Sequence, residues 1–166
     1  ERIRPQRLSS FIGQKNLMHE NSLLNKSVVA RQPLSSIFWG PPGTGKTTLA
    51  RILSREFCAE YFELSAISSG VKQVREILEK GKASFESGKR SILFIDEIHR
   101  FTKSQQDALL HGVEEGSITL IGATTENPSF EIISPLLSRC RVLRLHPLNE
   151  LDLRCLIKRA LENDIL

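Results

Sequence analysis

The chain has 166 residues, with 23 Lys+Arg against 19 Asp+Glu for a net charge of +4, and it is 40% hydrophobic and 25% charged. That composition is average for a globular domain and excludes wholesale disorder, a collagen helix and a coiled coil. The longest purely apolar run, Ile92–Ile95, falls far short of a membrane span, and Cys58, Cys140 and Cys155 have neither C-x-x-C spacing nor an even count, so no membrane partner, zinc site or disulfide framework is expected.

Short apolar runs alternate with helical patterns in chain order, as in a mostly parallel sheet covered on both faces. The runs Ile37–Trp39, Tyr61–Leu64, Ile92–Ile95, Ile118–Ile121 and Val142–Leu145 are each too short for a helix. Between them, Lys46–Cys58 reads as a helix opened by a Gly-rich turn. Val71, Val74, Ile77, Leu78, Gly81 and Phe85 form one apolar stripe on a second helix. A third helix is predicted over Lys103–Glu114, capped by Ser104 and stopped near Gly116. A last helix over Asn149–Leu166, with Leu151, Cys155, Leu156 and Leu161 on one side, reads as the start of a second domain. The opening without Met, with no signal peptide, and the stop inside a helix read as a piece of a longer protein of a reducing cytoplasm. Residues 72–90 carry six Lys/Arg against three Glu, and Arg139, Arg141 and Arg144 cluster; this permits a polyanionic partner without requiring one.

Gly40-Pro41-Pro42-Gly43-Thr44-Gly45-Lys46-Thr47 fits G-x-x-x-x-G-K-[ST], between an apolar strand and a helix. Glycines let the backbone wrap phosphates closely, and the helix start adds its positive end. Lys46 would neutralise β- and γ-phosphates, and the Thr47 hydroxyl would hold Mg²⁺. Ser91–Glu97 is a buried strand ending in two acids: Asp96 suits the metal side through bound water, and Glu97 suits deprotonation of an attacking water. Asp96-Glu97-Ile98-His99 also matches the D-E-x-H pattern of one helicase class, for which this length has no room. His99 reads as a polar residue at a loop start, and His19, His111 and His146 receive no role. Ile118–Thr125 is a further strand ending in hydroxyls that could touch the γ-phosphate or its water. Leu137-Ser138-Arg139-Cys140 offers an Arg that could reach a neighbouring subunit's nucleotide.

These elements in this order resemble an AAA+ ATPase core, and more closely the RarA/MgsA family of replication-associated recombination ATPases, relatives of the Werner-helicase-interacting ATPases. The resemblance spans nearly the whole chain. It is carried by Arg4-Pro5 with Leu8 and Phe11–Gln14, by Trp39–Ala50, by Phe94–Phe101 with Lys103–Asp107, and by Gly122–Phe130 with Leu136–Arg141. It implies an α/β P-loop domain with a five-stranded parallel sheet in the order 5-1-4-3-2, lacking most of the lid and the oligomerisation region. By motif match it assigns Thr125 as the sensor beside the γ-phosphate and Arg139 as the arginine finger. It places Arg4, Pro5, Ile12 and Gly13 near the adenine, and Gly40–Thr48 with Asp96 on ATP and Mg²⁺. Ser65 would stand at the position that switches the catalytic Glu in relatives. The implied organisation is an N-terminal adenine-side segment (1–34), an ATPase core (35–147) and the start of a helical lid (148–166).

The implied function is Mg-dependent ATP hydrolysis by a bacterial, cytoplasmic, nucleoid-associated homo-oligomer acting on stalled forks, gaps and single-strand/duplex junctions, with single-strand DNA-binding protein among its partners. DNA would be recognised by structure rather than sequence, since no base-reading motif is visible. A clamp-loader subunit or branch-migration motor shares the core but lacks the Thr124–Phe130 sequence. An unfoldase would carry an aromatic in the loop after the second strand, where Ala66–Gly70 has none. A non-hydrolysing scaffold would have no need of the intact Lys46, Thr47, Asp96, Glu97 and Arg139. Departures from the family fall on the third helix: Thr102 for the usual Asn, and His111-Gly112 for Pro-His, where an interior Gly costs ~1 kcal/mol relative to Ala.

Overall fold

A computed structural model describes residues 4–164. Residues 1–3 and 165–166, the extremes of the expected N-terminal segment and last helix, lie outside the described residues. The elements are α1 (Lys15–Met18), α2 (Leu23–Val29), β1 (Ser36–Trp39), α3 (Lys46–Glu56), β2 (Glu60–Ser65), α4 (Val71–Glu86), β3 (Ser91–Asp96), α5 (Lys103–Glu115), β4 (Thr119–Thr124), α6 (Pro128–Glu131), α7 (Ser134–Arg139), β5 (Arg141–Arg144) and α8 (Glu150–Asp164). The five strands form one parallel sheet in the order β2-β3-β4-β1-β5, the expected order read from the other edge.

Strand alternation divides the core between the two faces. Ile37, Leu93, Ile95 and Leu120 point to one side, where Val74 of α4, Leu109 of α5 and Leu136 of α7 cover them. Phe38, Ile92, Phe94, Ile121 and Ala123 point to the other, under Leu17 of α1, Leu24 of α2 and Leu49 and Leu53 of α3. All four residues of Ile92–Ile95 are fully buried, each contributing about 1.5–3 kcal/mol. The outer strands are wetter: Val142 on β5 is 43% exposed.

Local departures from the sequence reading have physical causes. β4 lies within the expected strand Ile118–Thr125, and its parallel pairing with β1 carries it past the apolar run to the Trp39–Thr124 register. The cap of α5 is Thr102, not Ser104. The Thr102 hydroxyl accepts from the Gln105 N–H, and the Gln105 side chain accepts from the Thr102 N–H, a reciprocal capping box. That helix does end at Gly116, in the left-handed region at φ 74°. Gly112, beside Leu78, is where α5 packs closely on α4. On α4 the predicted stripe is buried at Val74 and Gly81, while Phe85 is 51% exposed. On α8, Leu151 and Leu161 are exposed and Leu156 alone of the predicted side is half-buried. Among the described residues no helix is long and apolar enough to cross a membrane.

Candidate active site

The phosphate loop leaves β1 at Gly40 and enters α3 at Lys46. Its course requires glycine at Gly43, where φ is 78°, and at two further points. A Cβ on Gly40 would lie 2.2 Å from the Leu145 carbonyl oxygen, so the loop passes flush against the chain leaving β5. Gly45 opens α3 at φ 95°, a left-handed conformation that other residues rarely adopt, with the Phe11 ring against it. The loop is pinned from below: the Gly40 N–H donates to the Thr124 carbonyl at 3.1 Å, and the Thr44 hydroxyl donates to the Pro41 carbonyl at 3.0 Å. Lys46 is buried, and its Nζ donates to the Gly40 and Pro41 carbonyls at 2.6 and 2.8 Å. Burial holds this ammonium below the usual lysine pKa, an effect only partly offset by the carboxylates of Asp96 and Glu97.

The two acids reach the loop because β3 lies two strands away from β1 and ends at Asp96. Asp96 pairs in register with Ser65, and its Oδ1 accepts from the Glu97 N–H at 3.1 Å. Glu97 turns the chain with φ 56° and ψ 42°, a left-handed conformation costing a non-glycine residue about 1–3 kcal/mol. One cleft of ≈ 340 Å³ is lined by Pro42, Gly43, Gly45, Lys46, Thr47, Thr48, Asp96, Glu97, Thr125 and Arg4. Side chains that the sequence reading named separately thus face a common space: an ammonium, a guanidinium, three hydroxyls and two carboxylates. Thr47 and Asp96 supply hard oxygen donors, which suit a largely hydrated Mg²⁺ shared with substrate phosphates better than a protein cage would.

Beside this polar cleft is an apolar slot bounded by Arg4, Pro5 and Ile12, which the resemblance puts near the adenine, by Thr44 and Thr48 of the phosphate loop, and also by Phe11, Leu148 and Leu156. The last three were not singled out for the slot, and Leu148 and Leu156 come from the segment beyond β5. Gly13 does not line the slot; a Cβ there would lie 2.6 Å from Leu148 Cδ2, so it seats the N-terminal segment against α8's approach. Gln14, also missed, is buried and binds both sides of this region. Its amide donates to the Thr44 and His146 carbonyls at 3.3 and 2.7 Å, and its Oε1 accepts from the His146 N–H at 2.8 Å. Arg159 of α8 donates to the Ser10 carbonyl at 2.7 Å, a second tie between these segments.

Arg139 is not in the cleft of its own chain. It sits at the end of α7, where it donates to the Pro135 carbonyl at 2.7 Å and pairs with Glu114 of α5. Gln106, fully buried, donates to the Phe101 and Glu131 carbonyls and accepts from the Ile133 N–H, which fixes the α6–α7 segment on α5. His99, at the start of the turn after β3 as read from the sequence, has partners there: its ring contacts both Glu97 and Thr124.

Residues 36–148 match the model of the ATPase family associated with various cellular activities (AAA). Over 98% of its length the chain is 49% identical to the replication-associated recombination protein A of Escherichia coli, covering 36% of that protein. It is equally 49% identical to ATPase WRNIP1 of Dictyostelium discoideum, covering 18% of it. The Thermotoga maritima RuvB Holliday junction branch migration motor superposes with a TM-score of 0.79 at 32% identity, over 100% of this chain and 56% of that one. The chain therefore spans about a third of the length of the bacterial relative it matches.

Proposed function

The chain belongs to the AAA family of ATPases, in its replication-associated recombination protein A branch, and on that premise we propose that it is the nucleotide-hydrolysing core of a DNA-structure-dependent ATPase working at stalled replication forks, gaps and single-strand/duplex junctions. The observation that carries the reading is the convergence of Lys46, Thr47, Asp96, Glu97 and Thr125 on one cleft at the C-terminal ends of parallel strands. ATP would lie with its phosphates on the loop and its base in the apolar slot. Lys46 would bind the β- and γ-phosphates. Mg²⁺, held by Thr47 and by Asp96 through water, would supply charge neutralisation. Glu97 would orient and deprotonate the attacking water, a role worth about 10²–10⁴-fold, with Thr125 against the γ-phosphate.

Arg139 would act on a neighbour's nucleotide in a homo-oligomer, in keeping with its place outside its own cleft. The division into residues 1–34, 35–147 and 148–166 then corresponds to adenine-side segment, core and start of the lid. Residues from both 1–34 and 148–166 line the slot, which supports an adenine-side role for the first segment and adds the second to it. DNA recognition by shape and phosphate charge, the cytoplasmic setting and single-strand DNA-binding protein as a partner are parts of the same proposal.

The test is steady-state Mg·ATP hydrolysis by the full-length protein, alone and with gapped or forked DNA at fixed salt. Turnover stimulated by the junction, abolished in Lys46→Ala and in Arg139→Ala, is expected. Turnover indifferent to DNA would overturn the DNA-dependent part, and no turnover would favour a scaffold. The likeness to RuvB supports a second reading, a branch-migration motor; ATP-driven movement of a four-way junction would decide for it.

A further inference from the structure

Glu97 is held from two directions. Its backbone occupies a left-handed conformation, and its Oε2 lies 3.2 Å from His99 Nε2. The other nitrogen of that ring, Nδ1, lies 2.9 Å from the Thr124 hydroxyl. Donor and acceptor chemistry fixes the direction of this chain of contacts. The Glu97 carboxylate can only accept, so the ring hydrogen belongs on Nε2, and Nδ1 accepts from the Thr124 hydroxyl, whose other acceptor, the Glu126 carbonyl, is farther off at 3.4 Å. With Nδ1 accepting, a neutral imidazole carries its hydrogen on Nε2, facing the Glu97 carboxylate. The imidazole is 11% exposed and Thr124 fully buried, so water has little opportunity to replace either partner. The Thr124 carbonyl meanwhile accepts from Gly40, the first residue of the phosphate loop, and Thr125 lines the cleft next door.

We propose that His99 is a positioning residue for hydrolysis: its Nε2–H fixes the Glu97 carboxylate, and Thr124 fixes His99, so that the base is tied to the strand end carrying Thr125 and the phosphate loop. The inference rests on the reading of Glu97 as the base. It separates placement of the base from nucleotide binding, since His99 itself does not line the cleft or the slot. Ser65, the position assigned to this task by resemblance, pairs with Asp96 and not with Glu97 in the sheet register.

The experiment uses the full-length protein and measures kcat and KM for Mg·ATP, with the affinity of a fluorescent ATP analogue and the melting temperature as folding controls. His99→Ala is expected to lower kcat by about 10–100-fold with KM and analogue affinity within about twofold. His99→Gln, whose amide N–H can take the place of Nε2–H, is expected to recover most of that loss. Thr124→Val, which removes the proton that sets the ring's tautomer, is expected to fall between the two. In a Glu97→Gln background, His99→Ala should cost nothing further. A His99→Ala kcat within twofold of the parent, a loss confined to KM or stability, or a Gln variant no better than Ala would overturn the proposal. Turnover retained by Glu97→Gln alone would instead overturn the assignment of the base, so the two failures are distinguishable.

Discussion

Gln14 and His146 exchange two hydrogen bonds although they lie 132 residues apart: the Gln14 amide donates to the His146 carbonyl at 2.7 Å, and the His146 N–H donates back to the Gln14 Oε1 at 2.8 Å. The same amide reaches the Thr44 carbonyl in the phosphate loop. One side chain thereby joins the N-terminal segment, the nucleotide loop and the exit from β5. Replacing it with Ala leaves these backbone groups without their partner, at a cost of about 1–3 kcal/mol. Gln14→Ala is expected to lower the melting temperature by several degrees and to weaken ATP-analogue binding. An unchanged melting temperature would mean that water substitutes for the amide.

The close approach at Gly40 sets a second expectation. A methyl group there meets the Leu145 carbonyl oxygen at 2.2 Å, and that obstacle is backbone that cannot rotate away. Gly40→Ala must separate the loop from the β5 exit, costing about 1–3 kcal/mol or more, and it should lose nucleotide affinity together with stability. Gly70→Ala is the control. Its methyl meets nothing within 4 Å, and the change should cost about 1 kcal/mol or less in denaturant melts.

The three thiols should separate by reactivity. Cys58 and Cys155 are exposed, whereas Cys140 is buried at the end of α7 and burial pushes its pKa up to about 12. At pH 8 an aromatic disulfide reagent should therefore titrate two thiols in the native protein fragment spanning these residues, and the third only on denaturation. The raised pKa also has a sign for stability. Above the ordinary thiol pKa of about 8.5 the unfolded chain releases this proton while the folded chain keeps it. Stability falls with rising pH in the window between about 8.5 and the folded value, and Cys140→Ser or Cys140→Ala should flatten that part of the profile.

Arg139, held by Glu114 and the Pro135 carbonyl away from its own cleft, gives a mixing test. Arg139→Ala should lower turnover by about 10³-fold or more. Combined with the equally inactive Lys46→Ala, it should regain activity, because a nucleotide bound by an intact Lys46 then meets an intact Arg139 from the neighbouring subunit. Absence of recovery in stoichiometric mixtures would place the action of Arg139 within one subunit.

What could be read from the residues themselves was local, while the strand order came from the family resemblance. The spacing of Gly40, Gly45, Lys46 and Thr47, and the apolar run ending in Asp96 and Glu97, announce themselves because loop, strand and helix are contiguous there. The apolar run alone would end β4 at Ile121, and the pairing of Trp39 with Thr124 carries it on through the hydroxyl end read from Ile118–Thr125. The cap on α5 was legible in principle: Thr102 stands three residues before Gln105, the spacing of a reciprocal cap, which Ser104 lacks. The contacts of Gln14, His99 and Gln106 had no such signal. Each is an ordinary polar residue in the chain, and its importance comes from partners that only the tertiary fold supplies. The same holds for Leu156, which reads as a helix-packing residue, and for Leu148, which precedes that helix without a motif, until the slot beside the phosphate loop appears.

The slot has walls from opposite ends of the described chain, with Pro5, Phe11 and Ile12 on one side and Leu148 and Leu156 on the other. The chain already ties these walls together through the Gln14–His146 pair and the Arg159–Ser10 bond. A base held between them would add a third, removable tie, tightening the seam when present and leaving only the two permanent ones when it departs. Amide exchange should slow in residues 5–14 and 148–159 together on binding, which gives the fold a mechanical handle on the state of its nucleotide.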